Sequence, residues 1–252
     1  MKLILLAAGK SSRIYKKIKK NKCLINIDNK SLIRNIIDNA KSVSLKNITV
    51  VTGFKPSNII RDLKNYKKIS YIYNSKYKTT DMVYSSMLAL KKTNEDVIIS
   101  YTDIFYEKEV FKNLIDLNKK TLTLPYILNW KDIWKSRKKN IFDDAETFLI
   151  NSRSSIKEIG NKITKKNIKK INGQFMGIIF IPKKLIKTVV NFYENNDCNK
   201  LQFTSFLNKL LNNNINITGL KYDKFWYEID DIIDLKNFHK FYKQSSKRRK
   251  SI

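Results

Sequence analysis

Histidine is nearly missing from this chain: His239 is the single example among 252 residues. A Ser-His-Asp hydrolase or a multi-histidine metal centre would have to be built around that one side chain, so neither class is expected. Cysteine is almost as scarce. Cys23 and Cys198 are distant in sequence and belong to no CxxC pair, so they supply neither a disulfide framework nor a zinc site and fit a reducing compartment. Long apolar runs are absent as well. No stretch approaches the roughly twenty apolar residues of a membrane span. The run over residues 1–8 is too short for a signal peptide and meets Gly9-Lys10-Ser11-Ser12-Arg13 without a small-residue cleavage site. The expectation is a cytoplasmic protein with no membrane span.

Acidic residues are outnumbered, 22 Asp+Glu against 51 Lys+Arg, for a formal net charge of +29. Such a field attracts polyanions, and a basic nucleic-acid-binding protein is the non-enzyme alternative. The sequence has no basic recognition helix, zinc ligands or RNP-like aromatic motif, so no specific nucleic acid is expected as a partner. The excess is mostly lysine spread along the chain, travelling with abundant Asn and Ile and with only 6 Gly and 3 Pro, as an AT-rich genome writes at undemanding surface positions. An anionic small-molecule substrate would profit from the same field. What the chain does have is core material: hydrophobic residues make up 42% and aromatics 12%, and its length suits one sizeable domain or two small ones, the first being preferred. That domain is taken as residues 1–243, with a basic flexible tail over 244–252.

Apolar segments alternate with helical patterns through the first half. Residues 2–6, 47–51, 69–73 and 96–100 read as buried strands. Residues 32–41 behind a Ser31 cap, 56–63 opened by Pro56, 82–91 and 109–118 read as helices. This rhythm indicates an α/β fold built on a three-layer, mostly parallel sheet, with the ligand at the carboxyl ends of the strands. From residue 121 the rhythm changes. Strands over 121–124, 146–150, 155–159 and 174–181 read as a mixed extension that covers the site. Helices over 183–195 and 202–211, strands over 217–222 and 226–229, and a last helix over 232–242 complete the chain.

The strongest local signal is Leu6-Ala7-Ala8-Gly9-Lys10-Ser11-Ser12-Arg13, directly after the first strand. Gly9 and the small Ala and Ser residues let backbone N–H groups approach a phosphate, and Arg13 brings a fork of donors to its oxygens. Neither GxxxxGK[ST] nor GxGxxG is present, and a Gly/Ser turn after a strand is common without any ligand.

The turn resembles the signature L-x-A-G-x-[GS]-[ST]-R of the MobA-like and sugar-phosphate NTP transferase family. Lys22-Cys23-Leu24-Ile25 matches the lysine and apolar run that follow there, with Asn21 where that family has proline. The likeness continues in order through Val51-Thr52-Gly53-Phe54, Tyr73-Asn74, Thr79-Thr80-Asp81-Met82-Val83-Tyr84-Ser85, Ile99-Ser100-Tyr101-Thr102-Asp103-Ile104 and Trp226-Tyr227-Glu228-Ile229-Asp230. Trp130-Lys131-Asp132-Ile133-Trp134-Lys135-Ser136-Arg137, Asp143-Asp144-Ala145-Glu146-Thr147 and Gly173-Gln174-Phe175-Met176-Gly177 are similar to the cytidylyltransferases that activate phosphocholine or phosphoglutamine for decoration of surface polysaccharides.

The resemblance implies a Rossmann-like nucleotidyltransferase fold of GT-A type, with a mixed β extension over the active site. It implies Mg²⁺-dependent transfer of a nucleoside monophosphate from an NTP, with CTP favoured, to a small phosphorylated acceptor. A sugar-1-phosphate nucleotidyltransferase is the alternative, and a homodimer is compatible with the family. Arg13 and Lys22 would act in catalysis, and Asp103 and Asp230 would bind the metal. Leu6, Ala7, Ala8, Gly9, Lys10, Ser11, Ser12, Thr52, Thr80, Asp81 and Ser85 would bind nucleotide, Asp81 standing where many relatives carry Asn. Trp130, Trp134, Arg137, Asp144, Glu146, Gln174 and Glu228 would lie near the acceptor, each with an ordinary packing role as its competing explanation. For Asp230 the competing role is a cap on the last helix, shared with Asp231. Asn21 and Asp81 leave open a regulatory relative that binds nucleotide without turnover. The chemistry suits the composition. A phosphate acceptor is already an anionic nucleophile, so positioning and charge neutralisation do the work and no histidine base is needed.

Overall fold

The structure, a computed structural model, describes residues 1–27, 29–117, 120–137 and 140–250, with side chains through residue 243. Its centre is β1 (Lys2–Ala7), apolar without alternation because both faces are buried: Leu3 and Leu5 enter one core, Ile4 and Leu6 the other. Helix α1 (Ser12–Ile18) and a small hairpin, β2 (Asn26–Ile27) and β3 (Lys30–Ser31), lead to α2 (Leu32–Ser42), whose N-terminus is capped by the Ser31 hydroxyl accepting from the Arg34 amide at 3.4 Å. Then come β4 (Asn47–Thr52), α3 (Pro56–Asp62), β5 (Ile69–Tyr73), α4 (Met82–Leu90), β6 (Val97–Tyr101), β7 (Ile104–Tyr106) and α5 (Glu109–Ile115). The second half runs β8 (Leu122–Ile127), α6 (Trp130–Arg137), β9 (Glu146–Ile150), β10 (Ile156–Lys162), β11 (Gln174–Phe175), β12 (Ile178–Ile181), α7 (Lys183–Glu194), α8 (Phe203–Asn212), β13 (Ile217–Tyr222), β14 (Trp226–Glu228) and α9 (Ile232–Lys250).

The central sheet has 8 strands in the order β11-β8-β12-β6-β1-β4-β5, with β13 also paired to β8. The pairs β6–β1, β1–β4, β4–β5 and β8–β13 are parallel, while β12 is antiparallel to both β6 and β8. One face packs on α2, α3, α5, α6 and α9, the other on α4, α7 and α8. The expected three-layer α/β fold with a mostly parallel sheet is therefore what forms.

Three details differ from the sequence reading. The strand expected over 174–181 is two strands, because Gly177 adopts φ +76° and crosses Tyr101 so closely that a Cβ there would lie 2.7 Å from its ring. The region expected as a covering extension joins the central sheet through β8, β11 and β12, while its hairpin β9–β10 pairs outside that sheet and touches it through a bridge from Ser155 to Thr218. The last helix passes its expected end at residue 242, its backbone reaching Lys250; residues 251–252 of the expected tail lie outside the described residues. Among the described residues no helix is long and apolar enough to cross a membrane.

Helix α9 is bound to the fold by aromatic packing. The Phe238 ring is fully buried and lies 5.2 Å from Phe105, 5.8 Å from Phe225 and 5.6 Å from Tyr227 between centroids. Phe238→Ala should cost about 3–5 kcal/mol in urea unfolding through the cavity it leaves. A loss below about 1 kcal/mol would show that α9 is dispensable to the core.

Candidate active site

The turn after β1 is shaped from behind. Gly53 presses on it so closely that a Cβ would sit 2.6 Å from the Ala8 carbonyl oxygen, and that oxygen accepts from the Phe54 amide at 3.0 Å. Gly9, in contrast, has nothing within 4 Å of where its Cβ would be, which leaves the inner side of the turn open to a ligand. Ser11 takes a left-handed conformation (φ 55°) and its hydroxyl accepts from the Lys22 amide at 3.0 Å, tying the lysine-bearing segment to the turn. Asn21 extends the tie by donating its side-chain amide to the Phe54 carbonyl at 2.8 Å.

Leu6, Ala7, Ala8, Gly9, Ser11 and Lys22 form one wall of a cleft whose other wall carries Thr80, Asp81 and Ser85. The Asn74 side chain donates to Ser85 Oγ at 3.0 Å and to Thr80 Oγ1 at 3.2 Å, and Asp81 caps α4 by accepting from the Met82 amide at 2.7 Å. Lys10, Ser12 and Thr52 are not part of this wall; Thr52 is buried, its hydroxyl turned to the Ile72 carbonyl at 3.4 Å. Asn74 and Tyr77 are lining residues that the sequence reading did not single out, and Asn21, noted there only as a departure from the family, lines the cleft too. Asn74 stood within a run already matched to the family, which was the available signal.

The acidic centre is made by two strands far apart in sequence. β14 pairs antiparallel with β7, placing Glu228 opposite Ile104, and the Ile229 amide donates to the Asp103 carbonyl at 2.9 Å. Asp230 is thereby delivered beside Asp103. Ligand oxygens of Asp103, Glu228 and Asp230 all lie within 4.8 Å of one another, a hard-oxygen set able to hold a divalent cation. The Lys22 ammonium lies between two of them, 3.0 Å from Asp103 Oδ2 and 2.5 Å from Asp230 Oδ1, while Arg13 approaches Asp230 Oδ2 at 3.5 Å. Sequence reading made Glu228 an acceptor contact; its position is inside the carboxylate cluster.

Asp230 is released for this task because Asp231 and Asp234 do the capping. Asp231 Oδ1 accepts from the Ile233 and Asp234 amides at 2.8 and 3.0 Å, and Asp234 Oδ2 reaches back to the Asp230 and Asp231 amides at 2.8 and 3.2 Å. Arg137, expected near the acceptor, lies behind the cluster with its side chain fully enclosed, 2.8 Å from Glu228 and 3.4 Å from Asp230. Trp130 is also buried away from the pocket, against Trp134. Trp134, Asp144, Glu146 and Gln174 do line the adjoining pocket with Glu228 and Asp230. Gln174 is committed to the backbone there, donating to the Glu146 carbonyl and accepting from the Glu146 amide at 3.3 Å.

Crowding sets the protonation. Burial would lift the Asp230 carboxyl, but Lys22, Arg137 and Arg13 outweigh it and hold it at about 2. Glu228 is pushed the other way, to about 8, by burial opposed by Arg137 and reinforced by Asp230 and Asp103. Burial lowers the Lys22 ammonium pKa, yet Asp103 and Asp230 more than offset this and raise it, so it stays charged.

Residues 3–129 match the family model described as the MobA-like NTP transferase domain. The chain belongs to that family. This transferase is 31% identical over 251 residues to the CTP:phosphoglutamine cytidylyltransferase of Campylobacter jejuni, an alignment covering 93% of this chain and 98% of the relative. Its fold matches that of the inositol-1-phosphate CTP transferase from T. maritima at a TM-score of 0.75 and 17% identity, covering 92% of this chain and 90% of the other. It also matches the CTP:phosphocholine cytidylyltransferase from Streptococcus pneumoniae at a TM-score of 0.73 and 16% identity, covering 95% and 98%. The transferase is thus an enzyme of the nucleotidyltransferase class.

The raised Glu228 pKa has a signed consequence for stability. A carboxyl that holds its proton more tightly when folded contributes stability fully present below its ordinary value of 4.5, and that contribution is lost as pH rises through about 8. Urea unfolding in EDTA should show the unaltered protein losing stability between about pH 5 and 8.5, and Glu228→Gln losing clearly less. Equal losses in the two proteins would contradict the assignment.

Proposed function

We propose that this transferase moves a cytidylyl group from CTP to a small phosphorylated acceptor, such as a phosphorylated amino acid or phosphocholine, in a Mg²⁺-dependent reaction that releases pyrophosphate. The observation that carries the proposal is the convergence of Asp103, Glu228 and Asp230 with Lys22, next to the open face of Gly9. The acceptor phosphate oxygen forms a bond to the α-phosphorus of the nucleotide, and the bond from that phosphorus to the bridging oxygen of pyrophosphate breaks. No proton has to move, which fits a site without a histidine base.

The residues fit a divalent metal. Three carboxylates, hard donors that suit Mg²⁺, crowd within 4.8 Å, and an ammonium already rests against two of them. Asp103, Glu228 and Asp230 would hold the ion, whose chemistry is to neutralise charge on the polyphosphate. Lys22, fixed by the Ser11 contact, and Arg13, largely exposed at the mouth, would grip the triphosphate and the departing pyrophosphate. The Gly9 turn would take phosphate oxygens, and the Asn74–Ser85 pair would border the nucleotide. The acceptor would enter the adjoining pocket, where Asp144 and Glu146 favour a group bearing positive charge, such as an ammonium, beside Trp134 and Trp226. The +29 field would attract the small anionic substrates. The product would be an activated donor for decorating surface glycans, made in the cytoplasm.

A panel of NTPs and phosphorylated acceptors, read by pyrophosphate release with Mg²⁺, tests the reading; CTP with an amine-bearing acceptor should give the highest kcat/KM. No release with any pair would end it, and preference for a sugar 1-phosphate would reassign the acceptor. Asp103→Asn and Asp230→Asn should each lower kcat by about 100-fold or more while the protein remains folded by circular dichroism. Lys22→Met should lower kcat/KM by a comparable factor, about 100-fold, through loss of a charge at the polyphosphate. A near-normal rate in any of the three variants removes that residue from the machinery.

A further inference from the structure

Arg137 is the C-terminal residue of α6, and no part of its side chain is exposed, although it lies among charged groups. Four carboxylates surround the guanidinium. Nη2 is 2.8 Å from Glu228 and 3.4 Å from Asp230, Nε is 3.5 Å from Asp234, and Nη1 is 3.7 Å from Asp144. The Trp134 ring covers it, with the guanidinium carbon 5.0 Å from the ring centroid. Burying a guanidinium in this way is a poor route to stability, because desolvation offsets most of the attraction. Nor is every donor used: Nε and Nη1 have acidic neighbours but no hydrogen bond among the described residues.

What the arrangement does achieve is orientation. Arg137 meets Asp230 at Oδ2, while Oδ1 of the same carboxylate faces Lys22. Asp234, on the Nε side of Arg137, accepts from the Asp230 amide at 2.8 Å and so restrains the main chain at the same residue. One nitrogen, Nη2, therefore touches both Glu228 and Asp230, and the side toward Asp103 is left to Lys22. Ionised carboxylates this close repel one another, and a cation in front of them, such as Lys22, competes for the place a metal would take. A planar, permanently charged guanidinium at the rear offsets the repulsion without entering that place.

We propose that Arg137 is a positioning residue that holds Glu228 and Asp230 in register with Asp103 as ligands for a divalent cation. The proposal rests on the metal reading above and assigns Arg137 no contact with nucleotide or acceptor. It makes a prediction opposite in sign to that of its charge alone. Removing a cation near a metal site should tighten metal binding by Coulomb's law, whereas loss of a positioning residue weakens it.

The test measures Mn²⁺ binding to the full chain without nucleotide, by electron paramagnetic resonance titration, in the unaltered protein, Arg137→Gln and Arg137→Lys. Thermal unfolding of the same samples confines the comparison to folded protein. Arg137→Gln should bind Mn²⁺ at least tenfold more weakly, and Arg137→Lys, which keeps charge but loses the fork, should fall between. In turnover, the Mg²⁺ concentration for half-maximal rate should rise by a similar factor, while the KM for CTP at saturating Mg²⁺ stays within twofold. Tighter or unchanged Mn²⁺ binding by folded Arg137→Gln overturns the proposal. Should that variant fail to fold, Arg137→Lys decides: Mn²⁺ affinity equal to that of the unaltered protein overturns it, and weaker binding supports it. If the unaltered protein binds no Mn²⁺, the metal reading fails together with this proposal, a result distinct from failure in the variants alone.

Discussion

Acidic side chains held at close quarters are the constraint on which this molecule is built. Three carboxylates lie within 4.8 Å of one another at the carboxyl end of the sheet, partly shielded from water. Such a cluster is unfavourable in itself. It persists because cations meet it from two sides: Lys22 from the cleft and Arg137 from the interior. The opposite displacements of Asp230 and Glu228, one carboxyl held down at about 2 and the other pushed up to about 8, express how unevenly that compensation falls.

The fold serves this cluster by bringing distant chain segments to one point. The turn after β1 ties Lys22 through Ser11, and Gly53 supports the turn from behind. The β7–β14 pairing carries Glu228 and Asp230 to Asp103. The reciprocal caps of Asp231 and Asp234 take over the start of α9, so that Asp230 need not. Stacking of Trp134 on Trp226, with ring centroids 5.8 Å apart, joins α6 to β14 and brings Arg137 and the two acids it touches into a single unit. Helix, strand and cap are in this sense parts of the site.

Charge operates at two ranges. Over the whole surface the excess of lysine draws in small anions, a long-range effect that salt screens. Inside the cleft the sign reverses, and carboxylates dominate around Lys22 and Arg13.

By itself the sequence determined the alternation of strands and helices in its first half, because a doubly buried parallel strand requires an unbroken apolar run and an amphipathic helix a 3.6-residue period. It determined the Gly9 turn and, through the ordered family match, the pairing of Asp103 with Asp230. The tertiary structure decided what depends on register and burial. Whether residues 174–181 form one strand or two turns on how Gly177 crosses Tyr101, which no local pattern records. Which of Asp230, Asp231 and Asp234 caps α9 depends on where β14 ends. Arg137 and Trp130 looked like acceptor contacts because a residue's type does not reveal the direction in which its helix faces, and here α6 turns both into the interior. Local propensity is written in neighbouring residues; the placing of a charge is set by everything packed around it.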